Sequence, residues 1–172
     1  MTDPSRRGRS PSRAKAEAPG AARAATVAAS MVRDVAACRP DDSLNEAANL
    51  MWRRDCGFVP VVADEVGRTL VGVVTDRDIA MTAFFRGQSL KEIAVSAAMS
   101  PPTQVAHPDD DLEAALERMR RAQVHRLPVV DAAGRLVGVL SLADVLRRKG
   151  VAPGRLVGTL AAIRTPRDAP EV

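Results

Sequence analysis

Two short stretches of the chain bring a hydroxyl and a carboxylate to one fixed spacing, GVVTDRD at 72–78 and GVLSLAD at 138–144. In each, an apolar run of strand character ends in a hydroxyl residue, Thr75 or Ser141, with an aspartate, Asp78 or Asp144, three places on. Where a strand gives way to a helix, such a hydroxyl faces the first backbone N–H groups of the helix, which attract phosphate oxygens. The aspartate, one turn in, can accept two hydrogen bonds from vicinal hydroxyls. The same pair has a second use. It can close the helix start as a capping box with no ligand present, worth about 0.5–2 kcal/mol. Both readings stand at this level, and Gly72 and Gly138 let a backbone pass closely in either.

Other chemistries find little support. The chain has no Gly-x-Ser-x-Gly elbow, no Walker loop and no His-Glu-x-x-His motif. Asp76 with Asp78, and the run Asp109–Asp111, suit helix capping better than acid–base work. Cys38 and Cys56 are the only cysteines, which argues against a disulfide framework and a four-ligand zinc site, and both read as buried apolar side chains. His107 and His125 lack a second histidine or cysteine at ligand spacing, so no metal site is expected. The chain reads as non-catalytic.

The two motifs are parts of a longer repeat. Laying Met31 on Met99 also matches Pro40 with Pro108, Asp41 with Asp109, Leu44 with Leu112, Met51 with Met119 and Pro60 with Pro128. The offset shortens at Gly72 and Gly138, so the first copy carries two extra residues in the turn VVADEVGRTLVG relative to VVDAAGRLVG. Such an insertion leaves strand pairing intact if the turn joins a hairpin.

Each copy predicts the same elements. A short strand (VAAC at 35–38, TQVA at 103–106) runs into a Pro-Asp-Asp turn that offers an N-cap. Leu44, Ala47, Ala48 and Met51, and in the second copy Leu112, Ala115, Leu116 and Met119, then recur at helical spacing. Ser43 and Glu46 have capping-box spacing before the first helix. FVPVV and LVGVV in one copy, LPVV and LVGVL in the other, predict a buried hairpin around a Gly-Arg turn. A second helix follows, at 76–86 and 142–149. The fold class is α/β (α+β), with β-α-β-β-α written twice.

Composition is consistent with such a core. The chain has 172 residues, 46% hydrophobic, with three Phe, one Trp and no Tyr, so the core must be aliphatic. No apolar run reaches the roughly 20 residues that cross a bilayer, and no apolar stretch follows the charged N-terminus, so a cytoplasmic protein without a membrane association is expected. Charge is uneven. Residues 1–26 hold six basic against two acidic residues and 151–172 three against two, so the body between them is nearly neutral although the whole carries +4. The first 26 residues lack an apolar face and read as a disordered basic arm, a solubilising leader or a weak, salt-sensitive anchor for nucleic acid.

The motifs MVRDVAACRPDDSLNEAANLM, CGFVPVV and LVGVVTDRDIA, followed by HPDDDLEAALERM, HRLPVVD and GRLVGVLSLADVLR, resemble a tandem pair of CBS (cystathionine beta-synthase) domains over about 27–149. The segment TDRDIAMTAFFRGQSL is similar to bacterial stand-alone members, which consist of the pair with no attached enzyme or channel. The resemblance divides the chain into an arm at 1–26, a first CBS domain with its linker at 27–95, a second at 96–149 and a tail at 150–172. It implies two repeats packed as a pseudo-two-fold pair.

The resemblance also implies a regulatory role. In this family the Gly-h-h-[Ser/Thr]-x-x-Asp pattern holds adenosine ligands, the aspartate on ribose and the hydroxyl on phosphate. Carried over, the base would be gripped at Ala36, Phe58 and Val59 in the first copy and at Gln104, Arg126 and Leu127 in the second. The copies differ where Gly57-Phe58 stands against His125-Arg126 and Asp76-Arg77 against Leu142-Ala143, and Arg77 and Arg126 are the candidates for phosphate contacts. The expected ligand is AMP, ADP or ATP, with NAD or S-adenosylmethionine as alternatives, and no obligatory cofactor. Expected partners are a second copy, through Trp52, Phe84 and Phe85 on the outer helix faces, and an effector protein. The competing expectations are a ligand-free dimerisation scaffold and a nucleic-acid-associated protein using the basic arm.

Overall fold

The computed structural model describes residues 25–102 and 104–147, together with Gly158 and Ala161. Residues 1–24 of the expected arm at 1–26 and most of the tail lie outside the described residues. In the first copy α1 (Leu44–Arg53), β1 (Phe58–Val62), β2 (Leu70–Thr75) and α2 (Asp76–Arg86) follow one another. In the second, α3 (Leu112–Ala122), β3 (Arg126–Val130), β4 (Leu136–Ser141) and α4 (Leu142–Arg147) repeat the order. Short 3-10 turns at Val27–Ala29 and Val95–Ala97 precede the two copies.

The helices start where side chains can satisfy their free N–H groups. Ser43 and Glu46 form the capping box of α1, and Asp111 accepts from Glu113 and Ala114 at the start of α3. The hairpins β1/β2 and β3/β4 are antiparallel and share one register, with Phe58 opposite Thr75 in the first and Arg126 opposite Ser141 in the second. Pro60 and Pro128 fit because their cross-strand partners, Val73 and Val139, bond on the other side, to Ser100 and Val32. The stretches expected as first strands are shorter than predicted. Cys38 makes a single parallel bridge to Val61, and Ala106 one to Val129. Pro40 and Pro108, two residues on, have no N–H with which to extend the ladder.

The copies are interlocked. Val27, ahead of the first copy, is buried in the second core with Leu112, Leu116, Met119 and Leu140. Ile93 and Val95, ahead of the second copy, are buried in the first with Leu44, Met51, Val59 and Val74. The bonds repeat in parallel: Leu44 N–H donates to Ile93 C=O, and Leu112 N–H to Ala25 C=O, each at 2.8 Å. Ala25 and Thr26, the end of the segment read as an arm, therefore lie against α3, where Thr26 bridges Asp111. Both cores are aliphatic, and the aromatic rings of the helices stay outside them, Trp52 at 87%, Phe84 at 75% and Phe85 at 77% exposure. Among the described residues no helix is long and apolar enough to cross a membrane.

Candidate functional site

Where the copies meet, a cleft of about 370 Å³ opens between them. Its apolar wall belongs to the first copy: Val35 and Ala36 beside the single-residue bridge, Leu50 on α1, and Phe58 and Val59 on β1. The second copy contributes Arg126 on β3, Ser141 at the end of β4, and Ala143, Asp144 and Arg147 on α4, and the first copy adds Asp34, Arg54 and Asp55 to the polar lining. Val32 and Val139, which exchange two backbone hydrogen bonds of 2.9 Å, join the walls. Of the residues singled out from the sequence, Ala36, Phe58, Val59, Arg126, Ser141 and Asp144 line this one cleft.

Thr75, Arg77, Asp78, Gln104 and Leu127 do not line it. Leu127 is buried in the second core, and Gln104 and Arg77 are exposed. Thr75 and Asp78 form a closed capping box at the start of α2. The Thr75 hydroxyl donates to Asp78 Oδ2 at 2.7 Å, the Thr75 N–H donates to the same oxygen at 2.9 Å, and Asp78 N–H donates to Thr75 Oγ1 at 3.2 Å.

The second copy departs from that pattern. Ser141 Oγ accepts from Ala143 N–H at 3.1 Å, and Asp144 Oδ1 accepts instead from Arg147 at 2.7 Å. Among the described residues no acceptor is within hydrogen-bond reach of the Ser141 hydroxyl proton. The cause lies in the sequence, which puts Leu142-Ala143 where the first copy has Asp76-Arg77 and an arginine one turn beyond Asp144.

Charges of both signs surround the cleft. Arg54 pairs with Asp34 at 3.1 Å and Arg147 with Asp144 at 2.7 Å, while Arg126 has no carboxylate within 4.0 Å among the described residues. Sequence reasoning missed Asp34, Arg54 and Arg147, although the spacing of Asp144 and Arg147 on one helix face could have flagged the last. It also missed Cys56, which lines the cleft with its thiol 3.4 Å from the Phe58 carbonyl oxygen. Cys38 is the inert one. Burial, helped by the carboxylates of Asp42 and Glu46, pushes its thiol up to about 12. Among the described residues no group of three or more His, Cys, Asp or Glu side chains is placed to hold a metal ion.

The family model of the CBS domain matches residues 24–83 and again 90–150. The chain belongs to the CBS-domain family. It is 37% identical over 115 residues to the CBS domain-containing protein YhcV of Bacillus subtilis, covering 67% of this chain and 79% of that one. Several longer curated enzymes also match, but the matched stretch is only 22% of their length. Among solved structures, CBSX2 in complex with AMP superimposes with a TM-score of 0.59 at 28% identity, over 81% of this chain and 98% of that one. The CBS domain pair of protein MJ0100, in complex with 5′-methylthioadenosine and S-adenosyl-L-methionine, does so with a TM-score of 0.61 at 26% identity, over 72% and 94%. In both copies of this CBS pair the Gly-h-h-[Ser/Thr]-x-x-Asp run spans the end of the hairpin and the start of the following helix.

Proposed function

We propose that the protein is a regulatory, non-catalytic module that binds an adenosyl ligand in the cleft between its CBS repeats and passes that event to a partner as a change of shape. One observation carries this reading: the cleft joins Ser141 and Asp144 of one repeat to the apolar wall of Ala36, Phe58 and Val59 in the other. A planar base suits the apolar wall, and Asp144 accepts the two ribose hydroxyls in exchange for Arg147. Because the walls come from different repeats, a ligand that spans them favours one relative placement of the repeats, which is a signal a partner can read. Structures at 28% and 26% identity that hold AMP and S-adenosyl-L-methionine support an adenosyl compound as the ligand class. A melting-temperature panel of AMP, ADP, ATP, NAD and S-adenosylmethionine tests it. At 100 times its dissociation constant the true ligand adds about 2.7 kcal/mol of stability.

A second reading is favoured by Trp52, Phe84 and Phe85, which stand exposed on α1 and α2. It makes the pair a dimerisation scaffold, with these rings covered by a second copy. The two readings are compatible in one protein, and light scattering that gives a monomer mass at micromolar concentration removes the dimer from both.

A further inference from the structure

Resting on the reading of the cleft as an adenosyl-ligand site, we infer that Arg68 is a positioning residue for that ligand: its guanidinium ties the wall at Val35 and Ala36 to the joint between the two hairpin tips.

The turns of the hairpins make the joint. Leu136 N–H donates to Arg68 C=O at 2.8 Å, Leu70 N–H donates to Gly134 C=O at 3.1 Å, and Thr69 bridges Arg135 between them. These bonds make Arg68 and Gly134 counterparts, although the Gly-Arg pairs of the two turns would set Arg68 against Arg135. Both counterparts lie in the left-handed region, Arg68 at φ 51° and Gly134 at φ 76°. Glycine enters that region at no steric cost, and arginine does not. The first copy thus holds a strained residue where the second holds a relaxed one, and what the arginine adds is its side chain.

That side chain reaches the cleft. Arg68 Nη2 donates to the carbonyl oxygen of Val35 at 2.9 Å, across 33 positions of sequence. Val35 and Ala36 belong to the apolar wall, and the backbone beneath them has little else to hold it. Val32 is fixed by Val139 and Cys38 by Pro60. Between those two anchors, among the described residues, the Arg68 guanidinium is the only group outside residues 33–37 that bonds their main chain. Loss of the guanidinium frees the wall without opening either core, because Arg68, Val35 and Ala36 belong to neither.

Titration calorimetry of the full chain with AMP and 5′-methylthioadenosine tests the inference in two variants. Arg68→Gly removes the side chain and relaxes the backbone, whereas Arg68→Lys keeps a donor of similar reach. Arg68→Gly is expected to weaken both ligands by about 3- to 10-fold, because the wall meets the adenosine that the two share. Its melting temperature without ligand is expected to stay within about 4 °C of the wild type. Arg68→Lys is expected to recover part of the affinity for both. Unchanged affinity in Arg68→Gly overturns the inference. So does a loss confined to AMP, which is the long-range effect of a missing charge, or a loss accompanied by a larger fall in melting temperature, which marks a purely structural role. Each of these leaves the adenosyl site in place. A wild type that binds neither compound overturns the adenosyl site and this inference with it.

Discussion

A Cβ added to Gly138 would lie 2.8 Å from the carbonyl oxygen of Val32, closer than side chains sit to backbone. This is the approach that the repeated glycine permits: the segment ahead of the first copy pairs with β4 of the second. Gly72 does the same for Ser100, with more room, at 3.2 Å from the carbonyl oxygen and 3.1 Å from Met99 Sδ. Gly138→Ala must push Val32 off β4 and loosen both hydrogen bonds to Val139, at a cost of about 1–3 kcal/mol. Gly72→Ala should cost less, because a methionine side chain can move aside. Urea denaturation of both variants measures the order, and because Val32 and Val139 line the cleft, Gly138→Ala should also weaken ligand binding.

The two thiols should separate chemically. Cys38 is buried, with its ionisation pushed up to about 12, so a thiol reagent at pH 8 should reach it only when the chain unfolds. Cys56 is half-buried in the cleft and should react in the native protein. Saturating nucleotide is expected to slow that reaction severalfold, read by counting labelled thiols over time. Labelling of Cys56 at an unchanged rate under saturating ligand would place the ligand elsewhere.

Stability should fall at both ends of the pH scale, for different groups. Hydrogen bonds from Arg120 and Arg121 hold the Glu117 carboxyl down at about 2 against an ordinary 4.5. Burial alone would raise Asp110, but the His107 N–H and the Arg118 guanidinium together keep it below its usual range. The Arg135 and Ala133 N–H groups, with the Arg135 guanidinium, do the same for Asp131 against a smaller opposing effect of burial. A carboxyl depressed in the folded state stabilises above its unfolded value and loses that contribution as the pH falls through the folded one. The acid limb should therefore start near pH 4.5 and continue towards 2. Cys38 acts in the opposite direction, since a thiol raised from 9.0 to about 12 keeps its stabilising effect below 9.0 and loses it as the pH rises towards 12. Melting temperatures across that range should show a plateau between the two limbs, and Cys38→Ala should flatten the alkaline limb.

Much of the fold was legible because it is written locally and then repeated. The capping box of Ser43 and Glu46, the stripes from Leu44 to Met51 and Leu112 to Met119, and the hairpins around their glycines all follow from short-range spacing. The place of Val27 was not legible, because it opens the first repeat in sequence and packs in the second core in space, while Val95, its equivalent 68 residues on, packs in the first. The same crossing hid the composition of the cleft. Repetition aligns Phe58 with Arg126 and Asp78 with Asp144, as equivalents, whereas the cleft gathers Phe58 with Asp144, as neighbours. That Thr75 and Asp78 close a capping box could not be read from spacing alone, since a cap and a ligand site demand the same residues at the same spacing.

The most direct measurement of the central claim is the dissociation constant of AMP for the wild type, Asp144→Ala and Asp78→Ala, each paired with its melting temperature without ligand. A carboxylate that accepts two ribose hydroxyls contributes about 1.5–3 kcal/mol, so Asp144→Ala should bind about 10- to 100-fold more weakly while folding as before. Asp78→Ala should show the reverse, a loss of about 1 kcal/mol in stability from the opened capping box with AMP affinity unchanged. Asp144→Ala binding AMP as tightly as the wild type, or a wild type whose melting temperature millimolar AMP does not move, would contradict the account.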